Sequence, residues 1–177
     1  IIVNTCSFIE SATTESIDEI LAHAEYKKTG NCQQLIVMGC LAERFRAELK
    51  EEIPEIDLLI GTHEIKALAN LLPIEGEGDG GDRFLTTPGH YAYVKIAEGC
   101  DNRCSYCAIP YIRGSYRSRG MTSLIEEAKS LAKKGVKELI VIAQDITRYG
   151  QDLGDDTSLV SLLKELCKIE ELKWIRL

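Results

Sequence analysis

The 177-residue sequence contains no run of eighteen or so apolar residues, so no segment reads as a membrane-spanning helix. Its opening, IIVNTCSFIE, has neither the basic flank nor the small-residue cleavage site of a secretory signal. Excess positive charge is missing as well. The formal net charge is −7, which excludes a surface built as a whole to coat nucleic acid. There is no initiator methionine, and the end, LKWIRL, stops inside what reads as a strand, so the expectation is an internal fragment of a longer protein. An even cysteine count is also lacking. Seven cysteines in a chain of this length do not describe a small secreted disulfide scaffold. A reducing cytoplasm is the expected compartment, where clustered cysteines serve metals or catalysis more often than disulfides. What is present, 45% hydrophobic and 28% charged residues, is ordinary for a globular protein with one large or two small domains.

Apolar runs at residues 1–7, 34–40 and 56–61 alternate with stretches of helical periodicity. In the first of these, Ile17, Ile20, Leu21 and Ala24 recur at i, i+3, i+4 and i+7, with Lys27, Lys28 and Gly30 suited to the helix end. LAERFRAELKEEI reads as one helix and THEIKALANLL as another, with His63 as a cap. Short strand–helix repeats imply a parallel sheet, so residues 1–72 are expected to form an α/β domain. Residues 73–90 hold five glycines and two prolines and read as the linker. Residues 91–177 then form a second domain, with strands expected at 91–99 and 137–145 and another beginning in KWIRL. Between them, Ser123 and Glu126 have capping-box spacing ahead of a stripe of Leu124, Ala128, Leu131 and Ala132, closed by Gly135. SLVSLLKELCKI supplies a further helix. Three strands separated by helices fit a barrel or an open sheet equally.

The first of those strands runs into EGCDNRCSYCAIPYIRGSYRSR. Cys100, Cys104 and Cys107 form a C-x3-C-x2-C triplet with no fourth cysteine nearby. Structural zinc sites normally close with four protein ligands. A catalytic zinc site keeps a position open but usually includes histidine, and His90 is separated from Cys100 by the strand. The ferredoxin spacing does not match either. A [4Fe–4S] cluster on three cysteines leaves one iron free for an outside ligand, which accounts for the missing fourth. Zinc completed by a distant residue is the competing reading. Cys6 and Cys40 each follow an apolar strand, and in a parallel sheet both reach the carboxyl edge, where open α/β sheets bind ligands. Buried structural cysteines would look the same.

With Tyr106 before its last cysteine, the triplet resembles the signature of the radical S-adenosylmethionine (SAM) enzymes. VNTCSFIESATTESI, VMGCLAERF, HYAYVKIAEGCDNRCSYCAIPYIRGSYRSR and IVIAQDITRYGQDL together resemble one subgroup, the methylthiotransferases. The resemblance implies a Rossmann-like parallel-sheet domain followed by the first part of a radical SAM (β/α) partial TIM barrel. It implies two [4Fe–4S] clusters. One, on Cys100, Cys104 and Cys107, would bind SAM at its open iron and cleave it reductively to a radical that takes hydrogen from an unactivated carbon. The other would be held by Cys6 and Cys40 with an upstream cysteine. Tyr106, Gln144 and Asp145 are the expected SAM contacts, Gln144 and Asp145 because they end the second barrel strand, where a polar strand-end cap is the competing reading. Ile9 with Glu10, and Asp145 after Gln144, resemble the branch that methylthiolates the β-carbon of an aspartate in small-subunit ribosomal protein twelve. The tRNA-adenosine branch more usually differs there. The implied partners are that ribosomal protein or the ribosome and a flavodoxin-like electron donor. A monomer is expected.

Arg113, Arg117 and Arg119 lie in a segment with no acidic residue from Ser105 to Leu124, and Arg103 just precedes it. They suit the ribosome, the anionic cluster or the SAM carboxylate, or are ordinary solvated arginines. Glu98 and Asp101 flank the triplet and could tune it. Cys32, Cys167, Tyr91 and Tyr93 read as structural. A non-catalytic zinc-binding module is the rival from another functional class.

Overall fold

The computed structural model describes residues 1–64 and 84–177. The helix expected to start near His63 and most of the linker lie outside the described residues. Two compact units result, one of Ile1–Glu75 with Cys104–Arg113, the other of Gly76–Arg103 with Gly114–Leu177.

In the first unit, β1 (Ile2–Thr5), β2 (Ile36–Gly39) and β3 (Leu58–Ile60) form a parallel sheet in that order. Helix α1 (Glu10–Thr29) connects β1 to β2 and buries Ser16, Ile20 and Ala24, one residue per turn on the face toward the sheet. Ile20, Val37, Leu41, Ala42, Leu49 and Ile53 make the core. A side chain such as Ile20 or Leu41, fully withdrawn from water, contributes about 1.5–3 kcal/mol. The lysines of the last turn of α1 do more than complement its dipole. Lys27 meets Asp57 at 2.6 Å and Lys28 meets Glu55 at 3.1 Å, fastening α1 to the entry of β3.

The single helix expected over LAERFRAELKEEI is two, α2 (Cys40–Arg44) and α3 (Arg46–Glu52). Phe45 leaves helical geometry (φ −123°, ψ 35°) and packs its ring against the core, with the Arg44 guanidinium 4.9 Å above it. Periodicity alone cannot register one residue stepping out of a helix to bury a ring.

The second unit begins with β4 (Tyr91–Lys95), whose side chains alternate in burial: Ala92 and Val94 face inward, Tyr93 and Lys95 outward. The expected strand 91–99 breaks at Ile96. Ala97–Glu98 (β5) pairs antiparallel with Arg117–Ser118 (β6) instead. Between them the chain passes through α4 (Ile109–Arg113), which belongs to the first unit. Helix α5 (Met121–Lys133), β7 (Glu138–Ile142), a 3-10 turn (Ile146–Arg148), α6 (Leu159–Leu166) and β8 (Trp174–Arg176) complete the unit. Strands β4, β7 and β8 are parallel and adjacent in chain order, each joined to the next by a helix, as at the start of a (β/α) barrel. Their inward residues pack on Leu124, Ala128 and Leu131 of α5 and on Leu162 and Leu166 of α6.

The capping box assigned to Ser123 and Glu126 is not formed. Helix α5 starts three residues earlier, behind Gly120, and the Ser123 hydroxyl instead accepts from Arg119 at 3.3 Å. A reciprocal box does cap α6, where Ser158 and Ser161 bond each other's backbone N–H. Gly135 closes α5 at φ +100°, as its position predicts.

Candidate functional site

The β1–β2 register places Thr5 opposite Gly39, so Cys6 and Cys40 each come one residue beyond a paired position at the carboxyl edge. Several groups fix them there. The hydroxyl of Ser16, a nearly buried residue of α1, accepts from the Cys6 N–H and donates to the Cys6 carbonyl, both at 3.1 Å. The Thr5 hydroxyl donates to the Met38 carbonyl at 2.6 Å and accepts from the Leu41 N–H at 3.3 Å, bridging the two strand ends. Arg44 donates to the Ser7 carbonyl at 3.0 Å. Gly39 has φ +102°, and a Cβ there would lie 2.6 Å from the Thr5 carbonyl oxygen. Only glycine lets the backbones approach so closely. Cys40 is 2% exposed, while Cys6 is half-buried.

Helix α4 lies against α2 in the same unit. Thr62, just after β3, donates its hydroxyl to the Ile112 carbonyl at 2.7 Å. The next residue, Arg113, brings a guanidinium nitrogen to 3.4 Å from Cys40 Sγ and sits 5.9 Å over the Phe8 ring. All three strands of the sheet thus direct residues that follow them toward one edge: Cys6, Cys40 and Thr62. Beyond β3, Glu64 accepts from the Gly61 N–H at 2.8 Å and also pairs with Arg46.

The second cysteine set sits in a loop with its own supports. Gly99 (φ +79°) precedes Cys100 as Gly39 precedes Cys40, and a Cβ there would meet the Ser115 carbonyl oxygen at 2.2 Å. The Cys100 N–H donates to the Gly114 carbonyl at 3.1 Å. Asp101 accepts from the Tyr116 N–H at 3.1 Å, and Asn102 donates to Asp145 at 3.0 Å. Arg103 adopts φ +45°, the one non-glycine in the left-handed region among the described residues. Cys100 is 8% exposed, Cys107 half-buried, and Cys104 and Tyr106 exposed. Cys100 belongs to one unit, and Cys104 and Cys107 to the other. Among the described residues, no three Cys, His, Asp or Glu side chains gather closely enough to hold a metal ion.

Asp145 caps the 3-10 turn, accepting from the Thr147 N–H at 3.0 Å and hydroxyl at 2.6 Å. Its second oxygen holds Asn102. Thr147 and Asn102 together keep its carboxyl below the usual range. Both oxygens of this expected SAM contact are therefore engaged within the protein. Gln144 differs. Its Oε1 is buried and has no hydrogen-bond partner among the described residues, leaving an acceptor for a donor from outside.

The arginines divide by role. Arg119 pairs with the nearly buried Glu127 at 2.7 Å and donates to the Lys95 carbonyl, so it is a framework residue. Asp152 accepts from the Ser118 N–H at 2.8 Å and hydroxyl at 2.6 Å, while the buried Tyr149 hydroxyl donates to the Arg119 carbonyl at 2.9 Å. Burial pushes the Tyr149 phenol up to about 12. Glu98 pairs with Lys95 at 2.6 Å. Tyr91 and Tyr93 contact each other edge to face, and Cys167 ends α6 exposed.

Sequence reasoning passed over Ser16, Thr5, Arg44, Tyr149 and Asp152. A signal existed for Ser16: it shares the i, i+4, i+8 stripe of Ile20 and Ala24, and a hydroxyl on a buried stripe needs a partner.

Residues 1–61 match uncharacterized protein family UPF0004, and residues 94–177 match the radical SAM superfamily. Curated relatives align with the entire chain or nearly so. Three are named ribosomal protein uS12 methylthiotransferase RimO. That of Trichlorobacter lovleyi is 50% identical over 192 residues, covering 100% of this chain. That of Clostridioides difficile is 53% identical over 190 residues, covering 99%. That of Clostridium botulinum is 50% identical over 191 residues, covering 100%. The chain spans 43% of the length of each of these relatives.

Proposed function

We propose, for a chain that belongs to the radical SAM methylthiotransferases, that the full-length protein adds a methylthio group to the β-carbon of an aspartate in ribosomal protein uS12. The observation that carries this reading is identity of 50% or more, over all or nearly all of the chain, to relatives bearing that activity's name. The local chemistry supports it. Cysteine thiolates are the donors that iron–sulfur clusters take, and two sets of them follow strand ends in this chain. Cys100, Cys104 and Cys107 would hold the [4Fe–4S] cluster that binds SAM, and Cys6 and Cys40 would hold the second with a cysteine from elsewhere in the full-length protein. Metal-site ligands and fold are coupled, so the triplet would close around its cluster rather than ahead of it.

When bound, the clusters and SAM supply the substrate radical, the sulfur and the methyl group. The chain's own residues hold and aim the ligands. Ser16 and Thr5 fix the strand ends that carry Cys6 and Cys40. Asp101 and Asn102 anchor the Cys100 loop, with Asp145 acting through Asn102. The unpartnered Gln144 oxygen suits a SAM donor, and exposed Tyr106 lies beside the last ligand. Residues 73–90 are the linker between domains 1–72 and 91–177 in this reading. The protein works as a cytoplasmic monomer with a flavodoxin-like reductant. No helix among the described residues is long and apolar enough to cross a membrane.

The test is mass spectrometry of uS12 and nucleoside analysis of tRNA from cells lacking the full-length gene, with and without complementation. Loss of the uS12 methylthio group, restored on complementation, is expected. Loss of a methylthio-adenosine with uS12 unchanged would assign the substrate to tRNA and overturn the choice.

A further inference from the structure

We infer that Arg113 is a positioning residue for the iron–sulfur cluster of Cys6 and Cys40, setting that cluster's electron affinity through the Cys40 sulfur. The inference rests on the reading of Cys6 and Cys40 as ligands. Its ground is geometric. The Arg113 guanidinium donates to Cys40 Sγ at 3.4 Å, and that thiol is 2% exposed, so the charge acts where water screens little. One contact holds the side chain and another its helix. Its guanidinium lies over the Phe8 ring, and its helix is fastened by Thr62 at the preceding residue, Ile112, which is 1% exposed. A planar, permanently charged group can stack on an aromatic and donate to sulfur at once, which an ammonium cannot do as well.

Hydrogen bonds and nearby charge are levers that set cluster potentials. Adding an electron makes a cluster more negative, so a fixed cation favours the reduced form, and its removal lowers the potential. Arg113 also ends the segment that carries Cys104 and Cys107. One stretch of chain therefore supplies ligands to one proposed cluster and a charge to the other.

The experiment uses the full-length protein, anaerobically reconstituted, with Cys100, Cys104 and Cys107 replaced by alanine so that one cluster remains. Iron content and the midpoint potential, followed by electron paramagnetic resonance, are compared for Arg113, Arg113→Gln and Arg113→Lys. Arg113→Gln should load iron and shift the reduced-to-oxidised ratio at fixed potential about tenfold, a fall of ~59 mV for one electron. Arg113→Lys should recover much of that shift. If Arg113→Gln fails to load while Arg113→Lys loads, the charge is needed to hold the cluster, which also supports the role. Equal potentials in loaded Arg113 and Arg113→Gln proteins would overturn it, as would failure of both variants to load. Replacing Cys6 and Cys40 in the same background separates the premise: iron retained there would refute their reading as ligands, whatever Arg113 does.

Discussion

Replacing Gly39 by alanine puts a methyl carbon 2.6 Å from the Thr5 carbonyl oxygen and 2.9 Å from the Asn4 side-chain oxygen. The backbone there has φ +102° and ψ −153°, a region essentially reserved for glycine, and holding alanine in it costs about 1–3 kcal/mol. The Thr5 oxygen cannot move away freely. It belongs to the β1–β2 ladder, and the Thr5 hydroxyl is tied to Met38 and Leu41. Yielding would weaken a hydrogen bond worth about 1 kcal/mol. The sum, about 2–4 kcal/mol, corresponds to roughly 30- to 1,000-fold faster opening of the strand end, at 1.4 kcal/mol per tenfold. Hydrogen exchange with mass spectrometry on the full-length protein reads this directly. Peptides covering β1 and β2 should exchange faster by that factor, while those covering β4 and β7 serve as an internal reference. Exchange of the β1 and β2 peptides within about twofold of the parent would refute the close-approach argument.

Ser16→Ala removes both hydrogen bonds to the Cys6 backbone and should cost about 1–3 kcal/mol, read as a lower Tm of the first unit. An unchanged Tm would show that water or a neighbour replaces the hydroxyl. Asp145 has a folded-state pKa below its unfolded value, so its contribution is complete above the ordinary carboxylate range near ~3.9 and is lost as pH falls through the lower folded value. Protection of residues 100–103 and 145–148 against hydrogen exchange, taken relative to the intrinsic amide rate at each pH, should therefore fall in acid. Asp145→Asn should remove that pH dependence; an identical acid profile in the variant would sink the assignment. Tyr149→Phe deletes the hydrogen bond to the Arg119 carbonyl and should cost about 1 kcal/mol in urea denaturation, with no loss expected if that carbonyl finds another donor.

Much of the layout was legible because burial follows simple periods. The 17, 20, 21, 24 spacing located α1, and alternation in YAYVK located a strand with Ala92 and Val94 inward. That Cys6 and Cys40 come just beyond β1 and β2 was legible because a parallel sheet sends successive strand ends to one edge. Three features were not. Phe45 breaks a helix for the sake of its own ring, an event set by the core and not by its neighbours in sequence. Helix α5 begins at Met121, behind Gly120, so Ser123 lies inside it and its hydroxyl meets Arg119. Most important for the site, nothing local in AIPYIRG announces that Arg113 reaches Cys40, 73 positions away in the chain. Long-range partners of this kind follow from tertiary packing. Asp145 had two readings at its strand end, a ligand contact or a cap, and the structure shows the cap, with Asn102 on its second oxygen.

The central claim is that the chain carries two separate cluster-binding sets with different tasks. Iron content and reductive SAM cleavage, measured on the anaerobically reconstituted full-length protein, test it most directly. Alanine at Cys100, Cys104 and Cys107 should halve the iron and abolish SAM cleavage. Alanine at Cys6 and Cys40 should halve the iron and leave SAM cleavage in place. Stoichiometric colourless zinc, or loss of all iron on removing either set alone, would contradict the account.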